Sequence, residues 1–315
     1  MTSTDLANKI LDNYQVRKNK TQKLAFFDYV KALCDEHGYE CRLETSGKLI
    51  KNRNIVIGDI EKAKYIFTAH YDTCPVLPFP NFASPRNIPF YILYQLLLSA
   101  VIIIAALAIG ALFGILFKST AVFIFTSYVI IILELIQMIC GIANKHTAND
   151  NTSGVVAALS IAVSVPDADR YKYAYVLFDN EEVGLLGSNA FNSAHKKTLL
   201  HKYIVNMDCV SDGDNILFFA KKAQINSETH NTMVKSLKIA CEKYGKTLVA
   251  PYDRKTFFPS DQANFKNGFA VAAMRKRPII GLYIDRIHTN RDTVMDISNI
   301  DCLTEFALEL LKTTG

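Results

Sequence analysis

Two adjacent carboxylates, Glu181 and Glu182, stand at the end of the apolar run Tyr175-Val-Leu-Phe178 and before Val-Gly-Leu-Leu-Gly-Ser188. The run has the length and composition of a buried strand, and the residues after the acids read as helical. At such a corner neighbouring side chains point in different directions. One acid can then bind a metal while the other faces a reacting water and moves its proton. The plainer alternative is a pair of first-turn acids favoured by a helix dipole.

Other strand ends carry similar groups. Tyr65-Ile-Phe-Thr-Ala-His-Tyr-Asp-Thr73 reads as a strand ending in His-x-Asp. Strand alternation puts His70 and Asp72 on one side of the chain, which suits a metal-binding imidazole with a carboxylate close enough to orient it. A satisfied core histidine is the alternative for His70. Asp150 lies at a loop-to-helix junction in Ala148-Asn-Asp-Asn-Thr-Ser-Gly154, where a helix cap or Asx turn would also explain it. Tyr203-Ile-Val-Asn-Met-Asp208 is another short strand ending in an acid, and His288 opens a polar loop that runs to Thr293.

His70, Asp150, one of the Glu181-Glu182 pair, Asp208 and His288 form a mixed nitrogen and oxygen set suited to zinc. Five ligands are too many for one catalytic zinc that keeps an open position. They fit two zincs that share a carboxylate. No Gly-x-Ser-x-Gly elbow or phosphate-cradling glycine pattern offers a rival chemistry. The remaining histidines, His37, His146, His195, His201 and His230, lie in polar or lysine-rich contexts that predict surface positions.

The elements that must position these groups follow from the rest of the chain. Residues 5–37 read as helical, and repeated strand and helix patterns with short links predict an α/β sandwich around a mixed, mostly parallel sheet. In such sheets ligands gather at the carboxyl ends of the strands, where the candidate residues should converge.

Between the His70 and Asp150 segments lie two long apolar runs, residues 90–117 and 121–143, separated by Lys118-Ser-Thr120. As helices they would be roughly 42 and 34 Å long, enough to cross a bilayer core of roughly 30 Å. The chain thus divides into a discontinuous catalytic domain, residues 1–87 and 144–315, and a transmembrane helical hairpin, residues 88–143. Two spans return the chain to its starting side. Arg86 and Lys145 flank the base and Lys118 the tip, a slight bias toward a cytoplasmic catalytic domain. Glu134 is costly if it faces lipid; the first helix, a polar cavity or a second copy in a homo-oligomer would accommodate it.

The net charge of +5, without an arginine-rich arm, argues against a nucleic-acid partner. Seven cysteines without Cys-x-x-Cys pairs argue against a disulfide framework and fit a reducing compartment.

Taken together, Ala69-His-Tyr-Asp-Thr, Ala148-Asn-Asp-Asn-Thr-Ser-Gly, Glu181-Glu-Val-Gly-Leu-Leu-Gly-Ser, Asn206-Met-Asp and His288-Thr-Asn-Arg-Asp-Thr resemble, in order, metallopeptidase family 28. The resemblance covers everything but the apolar insertion and implies a three-layer zinc-exopeptidase fold. It implies that His70 and Asp208 bind one zinc and Glu182 and His288 the other, with Asp150 bridging. Glu181 would be the general base and Asp72 the orienting carboxylate, and the Asp150-Asn151 peptide would be cis. The implied activity is an aminopeptidase acting on a peptide or aminoacyl substrate. A carboxypeptidase, an N-acyl amino acid amidohydrolase, a glutaminyl cyclase or a non-enzymatic membrane protein are the alternatives. One departure stands out: Ser260-Asp-Gln262 replaces the family's frequent Ser-Asp-His, which leaves substrate contacts there open.

Overall fold

The computed structural model describes residues 1–250 and 256–313. The N-terminal helical stretch is two helices, α1 (Ser3–Tyr14) and α2 (Lys20–Glu36), not one. The break is built by local chemistry. Asn19 and Gln22 form a capping box that starts α2, and the Arg17 N–H leaves the helix to donate to Thr73 Oγ1.

Strands β1 (Cys41–Ser46), β2 (Asn52–Ile57) and β3 (Tyr65–His70) follow, and then the long helices α3 (Ile88–Leu116) and α4 (Thr120–Cys140). After the polar stretch 144–153 come α5 (Gly154–Ser164), β4 (Tyr173–Phe178), α6 (Leu186–Ala194) and the short α7 (Lys196–Leu199). The chain continues through β5 (Tyr203–Met207), β6 (Asn215–Ala220), α8 (Glu228–Lys243), β7 (Thr247–Val249), β8 (Gly268–Arg277), β9 (Gly281–Tyr283) and α9 (Ile297–Lys312).

The sheet runs β1-β2-β4-β3-β5-β8-β6-β7, with β9 paired to β8. Its centre, β4-β3-β5-β8, is parallel, while β1, β2, β6 and β9 join antiparallel. This is the mixed three-layer α/β architecture that the alternation of elements predicts. Period-two side chains divide the core: Phe67, Tyr175 and Val205 face α1, α5, α8 and α9, while Ile66, Val176 and Ile204 face the layer holding Phe191 of α6 and Leu199 of α7. Strand β6 has no clear signal in sequence, because a five-residue apolar run, Ile216 to Ala220, reads equally as strand or buried helix.

Helices α3 and α4 pack on each other. A Cβ at Gly110 would come within 2.0 Å of Ser127 Oγ, so glycine is what lets the two backbones approach. Elsewhere the pair presents hydrocarbon outward: Ile115 is 78% and Phe125 70% exposed. Both helices are long and apolar enough to cross a membrane. One carboxylate oxygen of Glu134 is buried within the packed chain.

Candidate metal centre

The parallel centre of the sheet assembles the site. Pairing of β3 with both β4 and β5 lays three strands side by side in register, and their carboxyl ends carry His70, the Glu181-Glu182 turn and Asp208. The loop before α5 brings in Asp150, and the loop after β9 brings in His288. Every one of the seven residues singled out in the sequence lies in this one region.

Asp150 sits at its centre. Its Oδ1 lies 3.1 Å from His70 Nε2 and its Oδ2 lies 3.1 Å from His288 Nε2. His70 Nε2 also faces Asp208 Oδ1 at 3.8 Å, and His288 Nε2 faces Glu182 Oε2 at 3.3 Å. Ligand atoms of His70, Asp150 and Asp208 fall within 4.8 Å of one another, and those of Asp150, Glu182 and His288 do the same. The two groups share Asp150.

This donor set fits divalent cations. Each Nε2 carries at most one proton but meets two carboxylate oxygens, so a proton cannot satisfy both. A cation common to the three groups can. Burial pushes the Asp150 carboxyl up, but His288 and His70 outweigh it and hold it well below the usual range. The opposite holds for the neighbouring acids. Burial raises Glu181 well above its ordinary value, opposed by His70 and reinforced by Glu182. Burial and then Asp150 do the same for Glu182.

Asp72 lies outside both ligand groups and holds the turn behind them. Its Oδ1 accepts the Glu181 N–H at 3.0 Å and its Oδ2 the Glu182 N–H at 3.3 Å, while Oδ1 lies 3.5 Å from His70 Nδ1. The turn precedes α6, so the two glutamates are not first-turn helix acids. Asn180, Cys209 and His288 each hold a left-handed backbone, with φ of 55°, 56° and 62°. Such conformations are uncommon outside glycine and gather where a side chain must be aimed. The Asp150-Asn151 peptide is cis.

Several supporting residues escaped the sequence reading. Asp292 accepts the N–H groups of Asn149 and Asp150 at 2.8 and 2.9 Å, and burial with Asp150 nearby pushes its carboxyl up to about 7. Arg17 is fully buried behind the site. It donates to the carbonyls of Tyr71 and Tyr14 and to Thr152 Oγ1, and burial lowers its guanidinium to about 10. The Cys74 thiol lies within 4.8 Å of ligand atoms of Asp150, Glu182 and His288. Burial pushes the Asp261 carboxyl up to about 7 against the pull of His70.

Gln262, where the family often has histidine, is buried and structural. Its Nε2 donates to the Phe258 carbonyl and its Oε1 accepts from Asn206, whose amide also donates to Ser260. Ser260 in turn donates to Asp208 Oδ2 at 2.5 Å. Of the other histidines, His146 and His201 are exposed as expected. His230 is not: it is buried beside Phe218, because α8 packs its first turn on β6.

The model of peptidase family M28 matches residues 136–311, more than half of the 315-residue chain. The chain belongs to peptidase family M28. The matched M28 range holds Asp150, Glu181, Glu182, Asp208 and His288, while His70 and Asp72 precede it and are joined to it through β3.

Solved structures share the fold at low identity. The glutaminyl cyclase of Porphyromonas gingivalis superposes with a TM-score of 0.63 at 14% identity, covering 100% of this chain and 98% of that one. A Zn-dependent exopeptidase from Parabacteroides distasonis gives 0.60 at 16%, with coverage of 98% and 96%. A leucine aminopeptidase precursor from Bacteroides thetaiotaomicron gives 0.60 at 16%, with coverage of 98% and 95%. No curated protein matches the sequence.

Proposed function

We propose that this M28 chain is a membrane-anchored exopeptidase with two zinc ions, acting as an aminopeptidase on short peptides. The observation that carries this reading is Asp150, whose two oxygens face His70 and His288 at 3.1 Å each. His70 and Asp208 would hold one ion, and Glu182 and His288 the other, with Asp150 shared. When bound, the ions supply the positive charge that polarises a scissile carbonyl and acidifies the attacking water.

The chain's own groups do the rest. Glu181 lines the cavity, and its raised affinity for a proton suits it to take one from the water and deliver it to the leaving amine. Asp72 fixes the backbone of Glu181 and Glu182 and faces His70, so it positions three of these groups at once.

Residues 1–87 and 144–315 would form the peptidase unit and residues 88–143 its two-span anchor. The exposed hydrocarbon of α3 and α4 supports the anchor, because a soluble hairpin core would bury it. Arg86 and Lys145 at the base support a cytoplasmic peptidase unit.

The likeness to glutaminyl cyclases keeps a second reaction in view, ring closure of an N-terminal glutamine with loss of ammonia. One experiment separates them. Metal content is measured on the detergent-purified chain and on Glu181→Gln, and both are given free and N-blocked peptides and a glutaminyl peptide. Two zincs with Glu181-dependent release of free N-terminal residues is the expected result. Ammonia release without loss of a residue would establish the cyclase. Turnover of blocked peptides alone would move the assignment to an amidohydrolase or carboxypeptidase.

A further inference from the structure

We propose that the active-site cavity opens in the headgroup layer of the bilayer and takes peptides that are themselves held by the membrane, free N-terminus first. This rests on the membrane-anchored aminopeptidase reading above and names its substrate class. The cavity is about 130 Å³. Its polar lining is the metal centre. Its apolar lining includes Ile88 and Tyr91 of α3 together with Phe257, Phe258, Ile284 and Ile287. A wall of the substrate cavity is therefore the first turn of the first apolar helix.

That turn is fixed to the site. Ala83 and Ile284 exchange backbone hydrogen bonds at 3.1 and 2.9 Å, and the Leu77 N–H donates to the His288 carbonyl at 2.7 Å. Asn87 Oδ1 caps α3 at Phe90, and its Nδ2 donates to the carbonyls of Ile279 and Ile280. Phe82 packs on Phe90, Tyr94 and Tyr283, with ring centroids 5.4, 5.1 and 6.1 Å away. The helix cannot swing without disturbing the loop that carries His288.

Helix lengths then set the depth. The two helices share a tip at residues 117–119, and α3 has 29 residues against 21 in α4. At about 1.5 Å per residue, α4 is roughly 32 Å long and fits the hydrocarbon core. The extra eight residues of α3 add about 12 Å at the base, above the hydrocarbon. This segment, residues 88–95, carries Tyr91 and Tyr94, at the level where aromatic side chains gather in membranes.

Apolar side chains are exposed beside the base of the hairpin as well. Ile279, bonded through its carbonyl to Asn87 next to the start of α3, is 87% exposed, and Ile142, just past α4, is 72% exposed. Facing water, such side chains are a liability; against lipid they are covered. An apolar wall and a mouth in the headgroup layer fit a peptide with a lipid-held tail, and the aminopeptidase reading places its free N-terminus at the metal centre.

The test uses the full chain in phosphatidylcholine vesicles and three peptides with one N-terminal sequence. One is soluble, and two end in a dodecyl amide after spacers of five or fifteen residues, which reach about 17 and 50 Å. The five-residue peptide should be cleaved at least as fast as the fifteen-residue one. Its kcat/KM should exceed that of the soluble peptide on the order of tenfold or more. Ile279→Glu, outside the cavity, should reduce that preference and leave the soluble peptide unaffected.

Cleavage of the long-spacer and soluble peptides with resistance of the short one would overturn the inference and leave the aminopeptidase standing. So would an Ile279→Glu chain that keeps the full preference. If no peptide shows Glu181-dependent release, the enzyme reading itself falls, and the inference with it.

Discussion

At the carboxyl ends of the central strands the molecule buries charge, and along α3 and α4 it exposes hydrocarbon. Around Asp150, acids and imidazoles are withdrawn from water and held by one another and by backbone N–H groups donated to Asp72 and Asp292. Along the hairpin, residues such as Leu112 and Ile115 stand mostly exposed. Each region breaks the usual rule for a soluble protein, and each needs a partner that water does not supply. On the function proposed above, cations would partner the first and lipid the second.

That contrast can be broken at several points. Asp150→Ala removes the carboxylate common to both donor groups. It should abolish turnover and strip bound metal, measured by elemental analysis beside peptide hydrolysis. Retention of two metals would mean that the centre is not organised around Asp150. Glu181→Gln keeps the shape and loses the base. It should lower kcat by about 10²–10⁴-fold with metal content unchanged, and a parallel loss of metal would make Glu181 a ligand instead.

Asp292→Asn should act through Asp150. An amide oxygen can accept one of the two N–H groups that the carboxylate now accepts. Metal affinity should fall about 10–100-fold, read by competition with a chromogenic chelator, and unchanged affinity would reduce Asp292 to a loop fastener. The smallest effect on the site should come from the other region. Gly110→Leu drives side chain into Ser127 and should cost the hairpin about 1–3 kcal/mol, seen as a lower unfolding temperature in detergent. Metal content and turnover of a soluble peptide should stay at the wild-type level; if they fall together, the two regions are one cooperative unit.

The residues of the candidate centre were legible because each follows an apolar-rich strand or lies in a polar loop, and both patterns are local. His70, Glu181, Glu182 and Asp208 lie at or just past the ends of apolar-rich strands of five or six residues, and the parallel register that unites them follows from the alternation of elements. The groups that hold them were not legible. Asp292 sits inside a quoted motif, yet its bonds go to backbone N–H groups more than 140 residues earlier. Arg17 reaches Thr152 across 135 residues. Nothing in their neighbours announces such contacts. Cys74 likewise reads as one scattered thiol until the fold sets it beside Asp150.

The strand order has a consequence for how the protein is made. β3 lies between β4 and β5, and both are synthesised after the hairpin. His70 leaves the ribosome roughly 100 residues before Phe178, a delay of about 5–20 s at ordinary elongation rates. Through that interval the central strand has neither neighbour, and the next segment to emerge is the apolar hairpin. Synthesis therefore leaves a strand exposed on both edges beside a long apolar hairpin, waiting for the rest of its sheet.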